Sequence, residues 1–187
     1  MSRSSLTLAA VLTLLIGGCD RAAPDGGQGP AKAAPAGEID RSMAGELMPA
    51  VNLDSARGEV LNLGALQGTP VLLNLWATWC APCVKEMPLL DDLAVDMDGE
   101  IRVVTASQDL GDRQKVVDFF AERDFELIEP WLDPQNRLME GLGVDVLPTT
   151  ILYDALGQEV WRITGDYDWS SPEARAAVEE AIAPPVP

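Results

Sequence analysis

Two residues lie between Cys80 and Cys83, and the 187-residue chain has one further cysteine, Cys19. Two sulfurs at that spacing can close a disulfide, open to a dithiol and exchange with another molecule. A thiolate attacks a disulfide sulfur, a mixed disulfide forms, and the neighbouring thiol expels the first partner. The place of the pair in the chain decides which sulfur begins. Residues 70–77, PVLLNLWA, make a near-continuous apolar run, the pattern of a strand buried on both faces. Residues 82–97 then put Val84, Met87, Leu90, Leu93, Ala94 and Met97 on one helical face. Trp76-Ala77-Thr78-Trp79-Cys80-Ala81-Pro82-Cys83 therefore marks the point where a buried strand hands over to a helix. The first helical turn has unpaired N–H groups and the positive end of the helix dipole, and both favour a thiolate there. Cys80 thus reads as the exposed nucleophile and Cys83, one turn in, as the shielded resolving thiol. Trp79, with Ala81 and Pro82, reads as a rim on which a partner docks.

Other uses of the pair fit less well. A structural zinc site needs about four ligands, and the chain has no histidine and no second cysteine pair. A purely structural disulfide over so short a loop contributes little, because stabilisation grows with loop length. The missing histidine also excludes Ser-His-Asp and Cys-His catalysis, and Val84 after Cys83 excludes haem attachment through C-x-x-C-H. Neither a metal nor a bound cofactor is expected, since the redox group is the Cys80–Cys83 pair itself. Thirteen Lys and Arg against thirty Asp and Glu give a net charge of −17, which repels phosphate backbones and excludes nucleic acid as a partner.

The remaining pattern predicts the elements around the motif. With 47% hydrophobic and 23% charged residues the chain can bury a core. Strands are expected at residues 58–63, 101–107 and 127–132, and helices at 112–123, 135–141 and 173–182. Residues 149–153 and 159–164 flank Asp154-Ala155-Leu156-Gly157, a hairpin signal. This order implies an α/β domain over residues 45–183, a mixed central sheet with helices on both faces, followed by a disordered tail at 184–187. Pro88 is expected to kink its helix. Trp76 is assigned to the core, and Trp131, Trp161 and Trp169 to core or rim. The acidic runs Asp91-Asp92 and Asp96-Asp98-Glu100 are expected to be a solvated face.

Ahead of the domain, Arg3 precedes an apolar run at residues 6–16 and then Gly17-Gly18-Cys19. This is the pattern of a secretory signal over residues 1–18, too short to span about 30 Å of hydrocarbon as a helix. Leu15-Ile16-Gly17-Gly18-Cys19 resembles a bacterial lipobox, which implies a lipidated Cys19 as the mature N-terminus. Several acyl chains at about 0.8 kcal/mol per buried CH₂ make a stable anchor. Asp20 resembles an inner-membrane retention signal. Residues 19–44 read as the lipidated start and a flexible linker, rich in Gly, Pro and Ala up to residue 38. A signal peptide also points to an oxidising compartment, in keeping with a disulfide.

WATWCAPC followed by Val84-Lys85-Glu86-Met87-Pro88, the segment Gly143-Val144-Asp145-Val146-Leu147-Pro148-Thr149-Thr150, and Gly157 and Gly165 together resemble the thioredoxin fold over residues 58–165. Within it they are most similar to the membrane-anchored TlpA-like group, which includes ResA-type reductases and oxidoreductases of cytochrome c maturation. Two positions depart from the pattern: Leu75 stands where the family often has Phe, and Val146 where it often has Gly. The resemblance implies a cis Pro148 facing the disulfide, with the Leu147 backbone offered to an incoming peptide. It also implies that Glu86 handles protons for the thiols. Asn74 stands where thioredoxin has a buried acid. An amide cannot accept that proton, so the task falls to Glu86, and Asn74 is expected to hydrogen-bond locally. The activity implied is protein dithiol-disulfide exchange on the periplasmic side of the envelope, read as reduction. Candidate substrates are protein disulfides, including that of apocytochrome c, and the electron donor implied is an integral-membrane thiol-disulfide protein. Two alternatives remain open on the residues. One is a copper carrier using Cys80 and Cys83 as soft ligands. The other is a thiol peroxidase, which needs an arginine beside the thiolate where the local sequence has none.

Overall fold

The structure, a computed structural model, describes residues 37–182, so Cys19, the signal segment and the tail at 184–187 lie outside the described residues. Its centre is β4 (Val71–Trp76), in which all six residues are buried. Alternation along the strand sends Val71, Leu73 and Leu75 to one face and Leu72 and Trp76 to the other. Such a strand needs cover on both sides. β5 (Arg102–Ser107) pairs with it in parallel and β7 (Thr149–Tyr153) antiparallel. β7 and β8 (Glu159–Thr164) form the expected hairpin, in which Asp154 Oδ1 accepts the N–H groups of Leu156 and Gln158 and Gly157 takes a positive φ of 78°. The sheet is mixed and has eight strands. With β1 (Ile39–Asp40), β2 (Asn52–Ser55), β3 (Val60–Asn62) and β6 (Trp131–Leu132), its order is β1-β8-β7-β4-β5-β6-β2-β3.

Helices cover both faces, as the element order implied. α1 (Ala81–Asp96) and α4 (Pro172–Glu179) share a core with Leu72, Leu152 and Trp161, and α2 (Arg113–Ala121) packs beside α1 through Val116 and Phe119. The opposite face is closed by α3 (Arg137–Leu142) through Leu138 and by a 3-10 turn carrying Leu63. α1 continues past Pro88. All of Trp76, Trp131, Trp161 and Trp169 are buried.

Several expectations shift. The sheet takes in chain ahead of the expected boundary at residue 45, because Ile39 and Asp40 pair with Ile163 and Arg162 along the open edge of β8. β2 was not legible, being short and half polar, and is defined by pairing with β3 and β6. The strand expected at 127–132 shrinks to Trp131–Leu132. The segment before it is held instead by Asp91, whose carboxylate accepts the N–H groups of Glu126, Leu127 and Ile128 at 2.8, 2.9 and 3.0 Å. Asp91 is therefore buried and not part of a solvated face, whereas Asp92 is exposed.

Candidate active site

The C-terminal end of β4 runs through Ala77, Thr78 and Trp79 into α1, and Cys80 is the helix N-cap. An N-cap residue accepts one of the unpaired first-turn N–H groups. Here the cap is sulfur: Cys80 Sγ accepts the N–H of Cys83 at 3.3 Å. The two cysteines form a disulfide, with S–S 1.97 Å and Cα–Cα 5.3 Å. Cys80 is 6% exposed and Cys83 1%, so the expected order of exposure holds, although Cys80 is far less open than expected. Both belong to a buried cluster that also holds Trp76, Ala77, Met87, Val116 and Phe119. The open surface is supplied by Trp79, 71% exposed, and by the exposed Ala81 and Pro82.

Strand register brings a distant segment to the same place. β7 begins opposite the end of β4, with Thr149 paired to Leu75. The residues before it, Val146, Leu147 and Pro148, therefore arrive at the disulfide end of the sheet. The Leu147–Pro148 peptide is cis, and Leu147 packs against the cluster that contains both cysteines. Thr149 Oγ1 donates to the Val146 carbonyl at 2.8 Å and Gly165 N–H to the Pro148 carbonyl at 2.8 Å, fixing the segment from both sides.

Glu86 lies one turn beyond Cys83 on the buried side of α1 and is 2% exposed. Its Oε1 accepts the N–H of Tyr167 at 2.6 Å, while Oε2 has no hydrogen-bond partner. Loss of solvent pushes its pKa from 4.5 to about 7; the Tyr167 N–H opposes the rise and the Asp166 charge adds to it. The Trp169 indole N–H also opposes the rise, although it makes no hydrogen bond of ordinary geometry. Glu86 borders a cleft with Lys85, Leu89, Asp166, Tyr167 and Asp168. Asn74 does not bond locally as expected. Its Nδ2 donates to Thr150 Oγ1 at 2.9 Å, across the sheet to its register partner, because the strand leaves it no nearby turn to serve.

A further residue, one that the motif does not include, positions the active-site loop. Asp109, 7% exposed, accepts the N–H of Thr78 at 2.9 Å and its hydroxyl at 2.7 Å, and the Ser107 hydroxyl at 2.9 Å. It thereby fixes the loop that carries Trp79 and Cys80. The available signal was the polar run Ser107-Gln108-Asp109, which begins on the last residue of a largely apolar strand.

A disulfide on the cap of the helix that follows a central strand, beside a cis-proline segment, defines the thioredoxin-fold class of dithiol-disulfide proteins. The Redoxin family model matches residues 43–180, and the chain belongs to that family. It is 35% identical over 123 residues to the thiol-disulfide oxidoreductase ResA of Geobacillus thermodenitrificans strain NG80-2, an alignment covering 65% of this chain and 69% of the relative. It is 32% identical over 114 residues to the thioredoxin-like protein YneN of Bacillus subtilis strain 168, covering 60% and 66%. Among solved structures, a putative thiol:disulfide interchange protein DsbE from Chlorobium tepidum superposes with a TM-score of 0.62 at 26% identity, covering 74% of this chain and 94% of that one. The exposed lipoprotein thioredoxin Etrx1 of Streptococcus pneumoniae shares the fold with a TM-score of 0.61 at 22% identity, covering 70% and 98%. With the Cys80–Cys83 pair at disulfide distance, this protein is a thiol-disulfide oxidoreductase of the ResA and DsbE type.

Proposed function

We propose that the chain is a lipid-anchored reductant of protein disulfides facing the periplasm, with Cys80 as the attacking sulfur. The observation that carries this reading is the cap itself: the Cys83 N–H that meets Cys80 Sγ would meet a Cys80 thiolate in the reduced protein. The Cys80 thiolate attacks one sulfur of the substrate disulfide, a mixed disulfide forms, and one substrate thiolate leaves. Cys83 gives its proton to the Glu86 carboxylate, and the resulting thiolate attacks Cys80 Sγ. The second substrate thiolate leaves, and the Cys80–Cys83 disulfide closes. Two electrons have then passed to the substrate, whose two thiolates take up two protons. A carboxyl with a pKa of about 7 suits Glu86 to this exchange, since neutral pH populates both its forms. Trp79, Ala81, Pro82 and the Leu147 backbone receive the substrate beside the cis Pro148.

Lipidation of Cys19, with residues beyond it as a tether, would hold the domain at the inner membrane. An integral-membrane dithiol protein would return two electrons there. The lipobox pattern supports the anchor, and the lipoprotein among the structural relatives is consistent with it. The C-x-x-C-H disulfide of apocytochrome c is a substrate of suitable chemistry. Trapping tests the reading. Cys83→Ser in the full chain is expected to hold substrate proteins disulfide-linked to Cys80, with cytochromes or their assembly factors among them. No adduct, together with no insulin reduction by the native protein, would contradict it.

A further inference from the structure

Arg162 and Glu159 form a nearly buried ion pair on β8, with side chains 11% and 1% exposed. The guanidinium meets the carboxylate as a fork, Nε to Oε1 and Nη2 to Oε2, both at 2.7 Å. Residues three apart on a strand ordinarily face opposite ways. A bulge removes that mismatch. Leu152 pairs with Trp161 but Tyr153 with Glu159, so Val160 is the extra residue and Glu159 joins the face of Arg162. This is the face of Ile151 and Tyr153, on the side closed by α3, whereas Trp161 and Ile163 pack on the other side. The third nitrogen of Arg162, Nη1, donates to the Leu142 carbonyl at 3.0 Å. Leu142 is the last residue of α3, a helix of six residues with no basic residue in its last turn. A helix end leaves carbonyls unpaired and favours a cation, and Arg162 supplies it from the sheet. Gly143 then takes a positive φ of 62°, and the chain runs through residues 144–147 into the cis Pro148. The far end of that segment is fixed at the Val146 and Pro148 carbonyls. Its near end depends on Arg162 and on the Val144 N–H, which donates to the Met139 carbonyl at 2.9 Å. So short a helix does not hold its own end still.

We propose that Arg162 is a positioning residue for exchange. Locked by Glu159, it grips the end of α3 and presets the course of residues 143–147, so that a protein substrate meets the Leu147 backbone already in place. A segment ordered beforehand need not be ordered by the substrate on binding, and in this way a residue on β8 lowers KM without acting on the sulfurs. The inference rests on the reading that the Leu147 backbone receives the substrate.

Amide hydrogen exchange of the disulfide form and insulin reduction by the reduced full chain test it together. Arg162→Met alone would leave the Glu159 charge buried and unpaired, so the pair is replaced as a whole, Glu159→Met with Arg162→Met. In this double variant the amides of Gly143 and Val144, both bonded back into α3, are expected to exchange about tenfold faster, the scale of one lost hydrogen bond to a charged group. KM for insulin is expected to rise by a similar factor, while kcat and the iodoacetamide reactivity of Cys80 stay within about twofold of native. Arg162→Lys is the second variant. It keeps Glu159 paired but lacks the fork that reaches both partners, and should shift amide exchange and KM the same way by a smaller factor. Native KM in both variants, or native exchange at Gly143 and Val144, would overturn the proposal. So would a fall in Cys80 reactivity as large as the rise in KM, because the site as a whole would then be distorted. A native protein that does not reduce insulin overturns the exchange reading itself, and the positioning role with it.

Discussion

Glu86 is a carboxyl held in the wrong solvent. Burial raises its pKa from 4.5 to about 7, and one of its oxygens has no partner. A carboxyl raised on folding binds its proton more tightly in the native state, so its contribution to stability is complete below about pH 4.5 and is lost as pH rises through about 7. The difference corresponds to about 3 kcal/mol at most. Glu86→Gln removes the titration while keeping an acceptor for the Tyr167 N–H. The variant is expected to gain stability over the native protein between pH 5 and pH 8, by up to about 3 kcal/mol in urea unfolding of the disulfide form. Parallel pH profiles for the two proteins would contradict the burial account. The glutamate itself was legible from its motif. Its buried state was not, because the Tyr167 N–H that holds it lies 81 positions away.

Asp91 shows how an element is held by a side chain that local pattern cannot assign. On α1 it reads as one more acid of a charged helix, yet its carboxylate carries three consecutive N–H groups of the segment leading to β6. Hydrogen bonds to a charged group contribute about 1.5–3 kcal/mol each, and buried donors left without a partner add a penalty. Asp91→Ala is expected to lower unfolding free energy by about 3 kcal/mol or more, against about 0.5 kcal/mol or less for the exposed Asp92→Ala. Equal small effects would mean that the segment is held by something else. The long buried strands and the hairpin were legible because apolar runs and turn residues specify them without help. β1, β2 and β6 have two to four residues each and exist only through their partners, which sequence pattern does not reveal.

The whole molecule is a device for setting one strand–helix junction. β4 is covered on both faces, so its C-terminal end is fixed, and β5 and β7 deliver their loops to that same end in register. The chain order of elements and the C-x-x-C were enough to anticipate the fold and the pair of sulfurs. The Asp109 anchor was not legible, since it depends on which loops meet. The central claim is that Cys80, at the cap of α1, is the sulfur that begins exchange. Limited alkylation of the fully reduced native chain with substoichiometric iodoacetamide, followed by peptide mapping, tests it most directly. Label on Cys80 is expected to exceed that on Cys83 by about tenfold or more, given its cap position and greater exposure. Equal labelling of the two, or preference for Cys83, would contradict it.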